Sequence, residues 1–313
     1  MDKKIRVEIV TPVHNRRDLT IQCLRSISRL DSDGLEIHTV IVDDGSTDGT
    51  SEAIAAEFPR VEVLRANGSL WFTEGTNVAI RAALEHDPDF VLLINDDQVF
   101  DAASLKFMIE CAEANPRSVV GPLLLLWDTP HKLFQTAPIW STASGGWRHW
   151  FHQTVWTVPD RPFAVDIIVG NCVLVPAKAI EEAGVMNSKR YPNFGDAEYT
   201  PRLRKRGWQL LIEPRARVFC QPNVSPAAVK RMSFREKLNN LLVDTKHPQN
   251  LRRRYYSLID GAPGKLRGVA AFAAFFIRIA LGVNAEGNWA AEQEEIPLAE
   301  RFRDKVVRSG TGR

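Results

Sequence analysis

Short apolar runs alternate with amphipathic segments through the first third of the chain. Residues 5–11, 37–42 and 90–94 are apolar runs of strand length, whereas residues 18–30 carry apolar side chains at helical spacing. Alternation of short strands with helices is typical of a mostly parallel sheet that is covered by helices on both faces and joined by right-handed crossovers. The pattern therefore predicts a doubly wound, Rossmann-like α/β fold.

Later segments follow a less regular pattern. The sequence predicts a short strand at 61–64 and helices at 75–85 and 102–114, and it predicts irregular strands and loops in the tryptophan-rich stretch at 127–165. Regular structure is expected again in three segments: 166–175, a helix at 177–183 and a strand at 209–212.

Polar side chains follow three of the predicted strands. Thr11 ends the first strand, Asp43 and Asp44 follow the second, and Asp96 and Asp97 follow the third. In open α/β sheets, ligands bind beyond the carboxyl ends of the strands. We therefore expect these groups to meet at one edge of the sheet and to form the functional site.

The bulk composition narrows the classes of function. The chain has 313 residues, is 44% hydrophobic and carries a net charge of +2, so it can form a folded core and gives no general electrostatic reason to bind nucleic acid. The N-terminal residues lack the features of a signal peptide, which predicts a cytoplasmic protein. Four cysteines without a metal-ligand spacing are expected to be reduced thiols: Cys23, Cys111, Cys172 and Cys220.

The character of the sequence changes from about residue 225. A basic and aromatic stretch at 252–256 precedes an apolar run at 268–282, which contains Arg278 and is shorter than the ~20 residues of a spanning helix. Two interpretations of 252–282 stay open. In the first, the segment associates with a membrane surface, and the protein is peripheral at the inner face of the membrane. In the second, the segment packs on the catalytic domain or on a second subunit, as in a homodimer.

Two strings near the N-terminus carry a family resemblance. Ile9-Val-Thr-Pro-Val-His-Asn15 and Val42-Asp-Asp-Gly-Ser-Thr-Asp-Gly-Thr50 resemble the start of family 2 glycosyltransferases with the GT-A fold. The resemblance implies that Thr11 and the carboxylates of Asp43 and Asp44 hold the nucleotide of a nucleotide-sugar donor. The second string is also good turn and helix-capping chemistry, which is the structural alternative.

A third string, at 67–80, resembles the glycine-rich, Trp71-containing stretch of bacterial rhamnosyltransferase-like members. It implies that Gly75 lets the backbone approach the donor, that the start of the following helix offers N–H groups to a diphosphate, and that Asn77 orients the donor. The alternative is a purely structural turn with core aromatic side chains.

The string Asn95-Asp96-Asp97 closes an apolar strand. Carboxylate oxygens at such a position suit Mg²⁺ or Mn²⁺. The string resembles the metal-binding motif of the family, with Asn95 in place of the first acid. The resemblance implies that Asp97 is the metal ligand and that Asp96 contacts the ribose or sugar of the donor.

The string at 193–208 resembles the catalytic segment of the family, with Gly195 in place of the first acid of a Glu-Asp pair. The resemblance implies that Asp196 is the general base that deprotonates the acceptor hydroxyl. Its structural alternative is a helix cap. Cys220 stands where family members place a histidine near the metal, and since a neutral thiol is a poor ligand for a hard cation, Gln221 or water is the alternative ligand.

These motifs predict the organisation of the whole chain. We expect a GT-A catalytic domain at 1–224, with a nucleotide-sugar half at about 1–100 and an acceptor half at about 101–224, followed by a helical extension at 225–313. The expected function is inverting, metal-dependent transfer of a sugar from a dTDP- or UDP-sugar to a glycan or lipid-linked acceptor in surface polysaccharide synthesis. Two alternatives are a nucleotide-sugar-binding protein without transferase activity and an oxidoreductase. The first strand is not followed by the G-x-G-x-x-G loop that a dinucleotide-binding oxidoreductase needs, which counts against the second alternative.

Overall fold

A mostly parallel sheet forms the centre of the protein. The computed structural model describes residues 4–134, 139–148, 153–168, 170, 172–221, 233–244 and 250–280. Within them, nine strands form one sheet in the order β3-β2-β1-β4-β10-β6-β11-β5, with β9 paired to β11, and β7 and β8 form a separate hairpin. The predicted α/β fold is confirmed. The strands are β1 (Ile5–Val13), β2 (Leu35–Asp43), β3 (Glu62–Arg65), β4 (Phe90–Ile94), β5 (Gln98–Phe100), β6 (Ser118–Leu126), β7 (Ile139–Ser141), β8 (Gly146–Arg148), β9 (Phe163–Ala164), β10 (Cys172–Pro176) and β11 (Gln209–Cys220).

Strands β1, β2, β3, β4, β6 and β11 run in one direction, whereas β5, β9 and β10 run antiparallel to their neighbours. Helices connect and flank these strands. They are α1 (Arg17–Ile27), α2 (Thr50–Glu57), α3 (Trp71–Glu85), α4 (Ser104–Ala114), α5 (Ala177–Ala183), α6 (Asp196–Lys205), α7 (Phe234–Leu242), α8 (Leu251–Gly261) and α9 (Lys265–Ala280).

The sheet is buried on both faces. Ile9 and Leu92 belong to one apolar core, whereas Val10 and Leu93 belong to the other, as the two-residue period of a strand requires. Burial on both faces explains why the central strands read as continuous apolar runs.

The structure corrects several predicted boundaries. Helix α3 begins at Trp71, four residues before the predicted start at Gly75. Strand β11 continues to Cys220, past an irregularity in its pairing with β6. Strand β6 was not predicted, although eight of its nine residues are buried. The tryptophan-rich stretch contains the β7–β8 hairpin, and Trp150 lies outside the described residues.

The C-terminal helix α8 packs against α6, and α9 packs against α8 and against β8 of the hairpin. The hydroxyl of Tyr191 donates to Asp260 of α8 at 2.6 Å, and Arg190 forms an ion pair with the same carboxylate at 2.8 Å. Gly268 lets α9 approach α8 closely, because a Cβ at this position would lie 2.7 Å from the carbonyl oxygen of Leu258. Helix α8 therefore packs against the preceding part of the chain, as the second interpretation expected. The predicted boundary near 224 lies outside the described residues.

In the part of the chain that the structure describes, every helix is too short or too polar to cross a membrane.

Candidate active site

The polar ends of β1, β2 and β4 lie at one edge of the sheet. Val13 pairs with Asp43 in the β1–β2 ladder, and Val10 pairs with Leu93 in the β1–β4 ladder. Because the three strands are parallel, the residues that follow them reach the same side of the molecule.

Asp96 and Asp97 share one cationic partner. Arg16, at the start of α1, forms ion pairs with Asp96 at 2.9 Å and with Asp97 at 2.8 Å, and Thr20 donates to Asp96 at 3.2 Å. Both carboxylates are nearly inaccessible to solvent, whereas Arg16 is half-buried. The guanidinium therefore covers the two acids on their solvent side.

Burial dominates the protonation behaviour of Asp96. It raises the pKa of this carboxyl from its usual value near 3.8 to about 6, although the charge of Arg16 opposes the rise and that of Asp97 adds to it. A carboxyl group with a pKa of about 6 gains or loses its proton close to neutral pH. Such displaced values are characteristic of functional sites.

Asp44 holds the loop that leads into α3. Its carboxylate accepts the backbone N–H of Gly68 at 2.9 Å and those of Leu70 and Trp71 at 3.0 Å each. These bonds fix Trp71 at φ +61°, in the left-handed region that costs a bulky residue free energy. The resemblance assigned the first N–H groups of α3 to a diphosphate; of these, the Trp71 N–H is bonded to Asp44 and the Thr73 N–H to the Pro192 carbonyl.

Asp43 organises the next turn. Its carboxylate accepts the N–H of Ser46 at 2.8 Å and the hydroxyl of Ser51 in α2. Thr11 is buried, and its hydroxyl donates to the carbonyl of Pro12 at 3.3 Å. Thr11, Asp43 and Asp44 are therefore together at the predicted edge, and their contacts with a nucleotide stay predictions.

Asn77 is farther from solvent than its predicted role implied. This side chain is 1% exposed, donates to the carbonyl of Met186 at 2.9 Å and accepts the N–H of Met186 at 2.9 Å. Gly75 faces Pro12, since an added Cβ would lie 2.8 Å from the Pro12 Cβ. In the structure Gly75 thus serves the packing of α3 on β1. A donor contact by Asn77 stays a prediction.

Asp196 begins α6 and is hydrogen-bonded to the segment that leads into β10, the neighbour of β4. The β4–β10 ladder ends with Ile94 opposite Cys172, and Gly170, just before Cys172, donates its N–H to the Asp196 carboxylate at 3.1 Å. This bond brings Asp196 to the end of the strand that Asp96 follows. Burial raises the pKa of Asp196, although the Gly170 N–H opposes the rise.

A residue of the C-terminal helices also faces Asp196. The guanidinium of Arg253 in α8 lies over the ring of Phe194, with its central carbon 3.1 Å from the ring centroid. Its positive charge favours the ionised form of Asp196, and burial lowers the pKa of Arg253 itself to about 10. Helix α8 therefore contributes to the electrostatics of the proposed base.

Two of the three replaced motif positions, Gly195 and Cys220, have structural explanations. A Cβ at Gly195 would lie 2.5 Å from the Thr73 Cγ2 and 2.8 Å from the Met186 Sδ, so a side chain has no room there. Cys220 is buried beside Gln98, whose amide donates to the thiol at 3.7 Å. Burial first, and then the charge of Asp97, raises the pKa of the Cys220 thiol, which keeps it protonated.

The donor set fits a hard divalent cation only through its carboxylates. Asp96 and Asp97 supply the oxygen ligands that Mg²⁺ and Mn²⁺ prefer, whereas the protonated thiol of Cys220 does not. Arg16 is bonded to both carboxylates, so a cation at Asp97 has to displace this guanidinium. The metal role of Asp97 stays a prediction.

Sequence reasoning missed three residues of this site: Arg16, Gly170 and Arg253. Arg16 stands in a run of polar residues after β1 in which no spacing set it apart. Gly170 and Arg253 contact Asp196 only through tertiary packing. Only the position of Arg16, directly after a strand that ends at the functional edge, was a usable signal.

The mostly parallel sheet with acids beyond β2 and β4 has the GT-A fold of solved glycosyltransferases. The mannosyltransferase PcManGT from Pyrobaculum calidifontis, solved with GDP-Man and Mn²⁺, aligns with a TM-score of 0.52 and 16% identity over 93% of this chain and 79% of its own. GalNAc-T7, solved with UDP, GalNAc and Mn²⁺, aligns with a TM-score of 0.58 and 12% identity over 92% of this chain and 59% of its own. TarS 1-349 of S. aureus aligns with a TM-score of 0.53 and 14% identity over 95% of this chain and 77% of its own.

Residues 8–143 match the family described as Glycosyl transferase family 2, which confirms the family resemblance of the motifs in this range. A curated relative is the N-acetylglucosaminyl-diphospho-decaprenol L-rhamnosyltransferase of Mycobacterium tuberculosis, which is 25% identical over 205 residues. That match covers 58% of this chain and 66% of the relative, slightly less than two thirds of the length of the relative.

Proposed function

We propose that this protein is an inverting glycosyltransferase that moves a sugar from a dTDP- or UDP-linked donor to a hydroxyl of a glycan or lipid-linked acceptor in surface polysaccharide synthesis. The observation that carries the proposal is the position of Asp196, held by Gly170 at the end of β4 where Asp96 and Asp97 follow. A general base has to lie close to the donor site, since the acceptor oxygen attacks the anomeric carbon there.

In this proposal Asp196 removes the proton of the acceptor hydroxyl as the oxygen attacks from the face opposite the leaving diphosphate. The raised pKa of Asp196 suits this task, because a carboxylate with a raised pKa is a stronger base and accepts the proton more readily. Arg253 limits the rise by favouring the carboxylate.

The donor is held by the opposite half of the site. Thr11, Asp43 and Asp44 bind the nucleoside, Asp96 contacts the ribose or sugar, and Asn77 supports the donor loop through Met186. Asp97 would hold a Mg²⁺ or Mn²⁺ ion, and such an ion would supply positive charge near the diphosphate of the donor. Arg16 is a second cation beside the same carboxylates.

The lipid-linked acceptor of the mycobacterial relative suggests an acceptor at a membrane surface. Helix α9 exposes Leu266, Val269, Phe276 and Ile277, which share one helical face, and Lys265 is exposed nearby. This face suits an anionic lipid surface.

Co-sedimentation of the protein with phosphatidylglycerol vesicles tests this surface. It should weaken in a Leu266→Ser/Phe276→Ser variant and stay unchanged in Val243→Ser. Dimerisation through this face would appear instead as a change in the sedimentation velocity of the protein.

Transfer activity and binding are tested separately. A thermal-shift panel of UDP, dTDP and their sugars with and without Mn²⁺ should show stabilisation that depends on the metal, and stabilisation independent of metal would contradict the role of Asp97. The Asp196→Asn variant should keep donor binding and lose about 10²- to 10⁴-fold of its transfer rate.

The second candidate function is a nucleotide-sugar-binding protein without transferase activity. It is favoured by the ion pairs of Arg16 with both acids and by the lack of room for a side chain at Gly195. Equal, near-background hydrolysis and transfer rates in wild type and Asp196→Asn would support this alternative.

A further inference from the structure

A second cluster of ligand-type side chains lies at the other end of the sheet. Glu8 of β1 is directly beside His38 of β2 in the parallel ladder, and His86 stands at the C-terminal end of α3. Glu8 is 5% exposed, whereas both histidines are about one-third exposed. The cluster therefore has a buried anchor and an opening to solvent.

The three side chains converge on a small volume. The Glu8 carboxylate lies 2.9 Å from the His38 Nδ1 and 3.1 Å from the His86 Nδ1, and one ligand atom from each residue lies within 4.8 Å of the others. In a tetrahedral site with bonds of about 2.1 Å, ligand atoms are about 3.4 Å apart. Small rotations of two partly exposed imidazoles therefore suffice to surround an ion.

A fourth ligand is within reach. The Glu62 carboxylate of β3 lies 3.6 Å from the His86 Nε2 and is about one-third exposed. The four residues come from β1, β2, β3 and the end of α3, so they converge through the fold and not through a local sequence motif.

We propose that Glu8, His38 and His86, with Glu62 beside them, form a binding site for a borderline divalent transition metal such as Zn²⁺. Two imidazole nitrogens and one or two carboxylate oxygens are a ligand set typical of Zn²⁺, whereas Mg²⁺ and Mn²⁺ prefer oxygen ligands alone. The site is thus chemically distinct from the carboxylates at Asp96 and Asp97.

Its position assigns it a structural task. Glu8 precedes Val13, the last residue of β1, by five positions, which is about 16 Å along a strand. An ion at this distance from the acids is outside the reacting groups. It would join β1, β2 and α3, the elements whose opposite ends carry the donor-binding loops, and so stiffen the nucleotide-sugar half.

The test uses the full-length protein after treatment with EDTA. Isothermal titration with ZnCl₂ at pH 7.5 should give one ion per chain, accompanied by a rise in Tm, and Co²⁺ should give the visible absorption of a four-coordinate site. MgCl₂ should produce neither effect at this site.

The variants His38→Gln and His86→Gln should each lower the affinity for Zn²⁺ by at least about 100-fold, more than loss of an outer-shell contact does. The matched control His131→Gln, a partly buried histidine outside the cluster, should bind as the wild type does. Asp97→Asn should also retain Zn²⁺ binding here, which separates this site from the proposed catalytic metal.

Two results would overturn the proposal. One is the absence of Zn²⁺ binding by wild-type protein that is folded by circular dichroism. The other is Zn²⁺ binding of wild-type affinity in the His38→Gln/His86→Gln double variant. Neither result depends on transfer activity, so failure of the site and failure of the proposed function are distinguishable.

Discussion

Replacement of Asp96 by Asn should make the protein more stable at neutral pH. In the folded state burial raises the pKa of Asp96 from near 3.8 to about 6, so folding disfavours the ionised form. The folded protein binds more protons than the unfolded chain between these values, and the free energy of unfolding therefore falls as the pH rises through this window. Above pH 6 the full free-energy cost of burying the ionised Asp96 carboxylate is present.

The magnitude follows from the two pKa values. A tenfold difference in proton affinity corresponds to 1.36 kcal/mol, so the change from near 3.8 to about 6 corresponds to about 3 kcal/mol. Asn resembles the protonated acid in size and charge and avoids this cost. Arg16 keeps Asp97 as a partner at 2.8 Å in the variant, so its charge stays compensated.

Urea denaturation at a series of pH values measures the effect. Asp96→Asn should raise the free energy of unfolding by about 3 kcal/mol at pH 7.5 and by nearly nothing at pH 4. Asp18→Asn, at an exposed carboxylate of α1, should change it by less than about 0.5 kcal/mol at either pH. A variant that is no more stable than the wild type at pH 7.5 would refute the reasoning about burial.

Three further substitutions test the site. Gly170→Ala should lower the transfer rate by at least about 10-fold with little loss of fold, because the added Cβ would overlap the Asp196 side chain; steady-state kinetics measures it, and an unchanged rate would contradict the geometry. Arg253→Met should move the acid limb of the kcat profile to higher pH, since Asp196 loses a charge that favours its ionised form, whereas Arg253→Lys should restore the wild-type profile. Asp44→Asn should lower the free energy of unfolding by about 2–4 kcal/mol in urea, because an NH2 group that cannot accept replaces one of the two carboxylate oxygens that hold the Gly68, Leu70 and Trp71 N–H groups; an unchanged free energy would contradict this account.

The fold could be predicted where burial dictates the sequence pattern. Strands β1, β2 and β4 are covered on both faces, so their apolar runs and the polar residues after them were readable. Strand β6 has the same kind of pattern but was overlooked between a predicted helix and the tryptophan-rich stretch. The start of α3 was misplaced because it is determined by the Asp44 carboxylate, which is distant in sequence from Trp71.

The sequence predicted only those site residues that belong to recognisable motifs. The sequence indicated that Asp43, Asp44, Asp96 and Asp97 gather at one edge, and the parallel register agrees with it. The partners of these groups depend on tertiary contacts. The pairing of Arg16 with two carboxylates about 80 positions away is one such contact, which no spacing in one sequence could indicate.

The close packing around Gly195 has an evolutionary consequence. A single change to an acid would place its Cβ 2.5 Å from Thr73 and 2.8 Å from the Met186 sulfur, and Met186 is itself fixed by Asn77 on both sides of its peptide. Restoring the first acid of the pair thus requires coordinated substitutions at several positions, each of which disturbs the present packing when made alone. The neighbours of Gly195 therefore disfavour an acid at this position. Descendants of this sequence should keep a small residue there as long as Thr73 and Met186 persist.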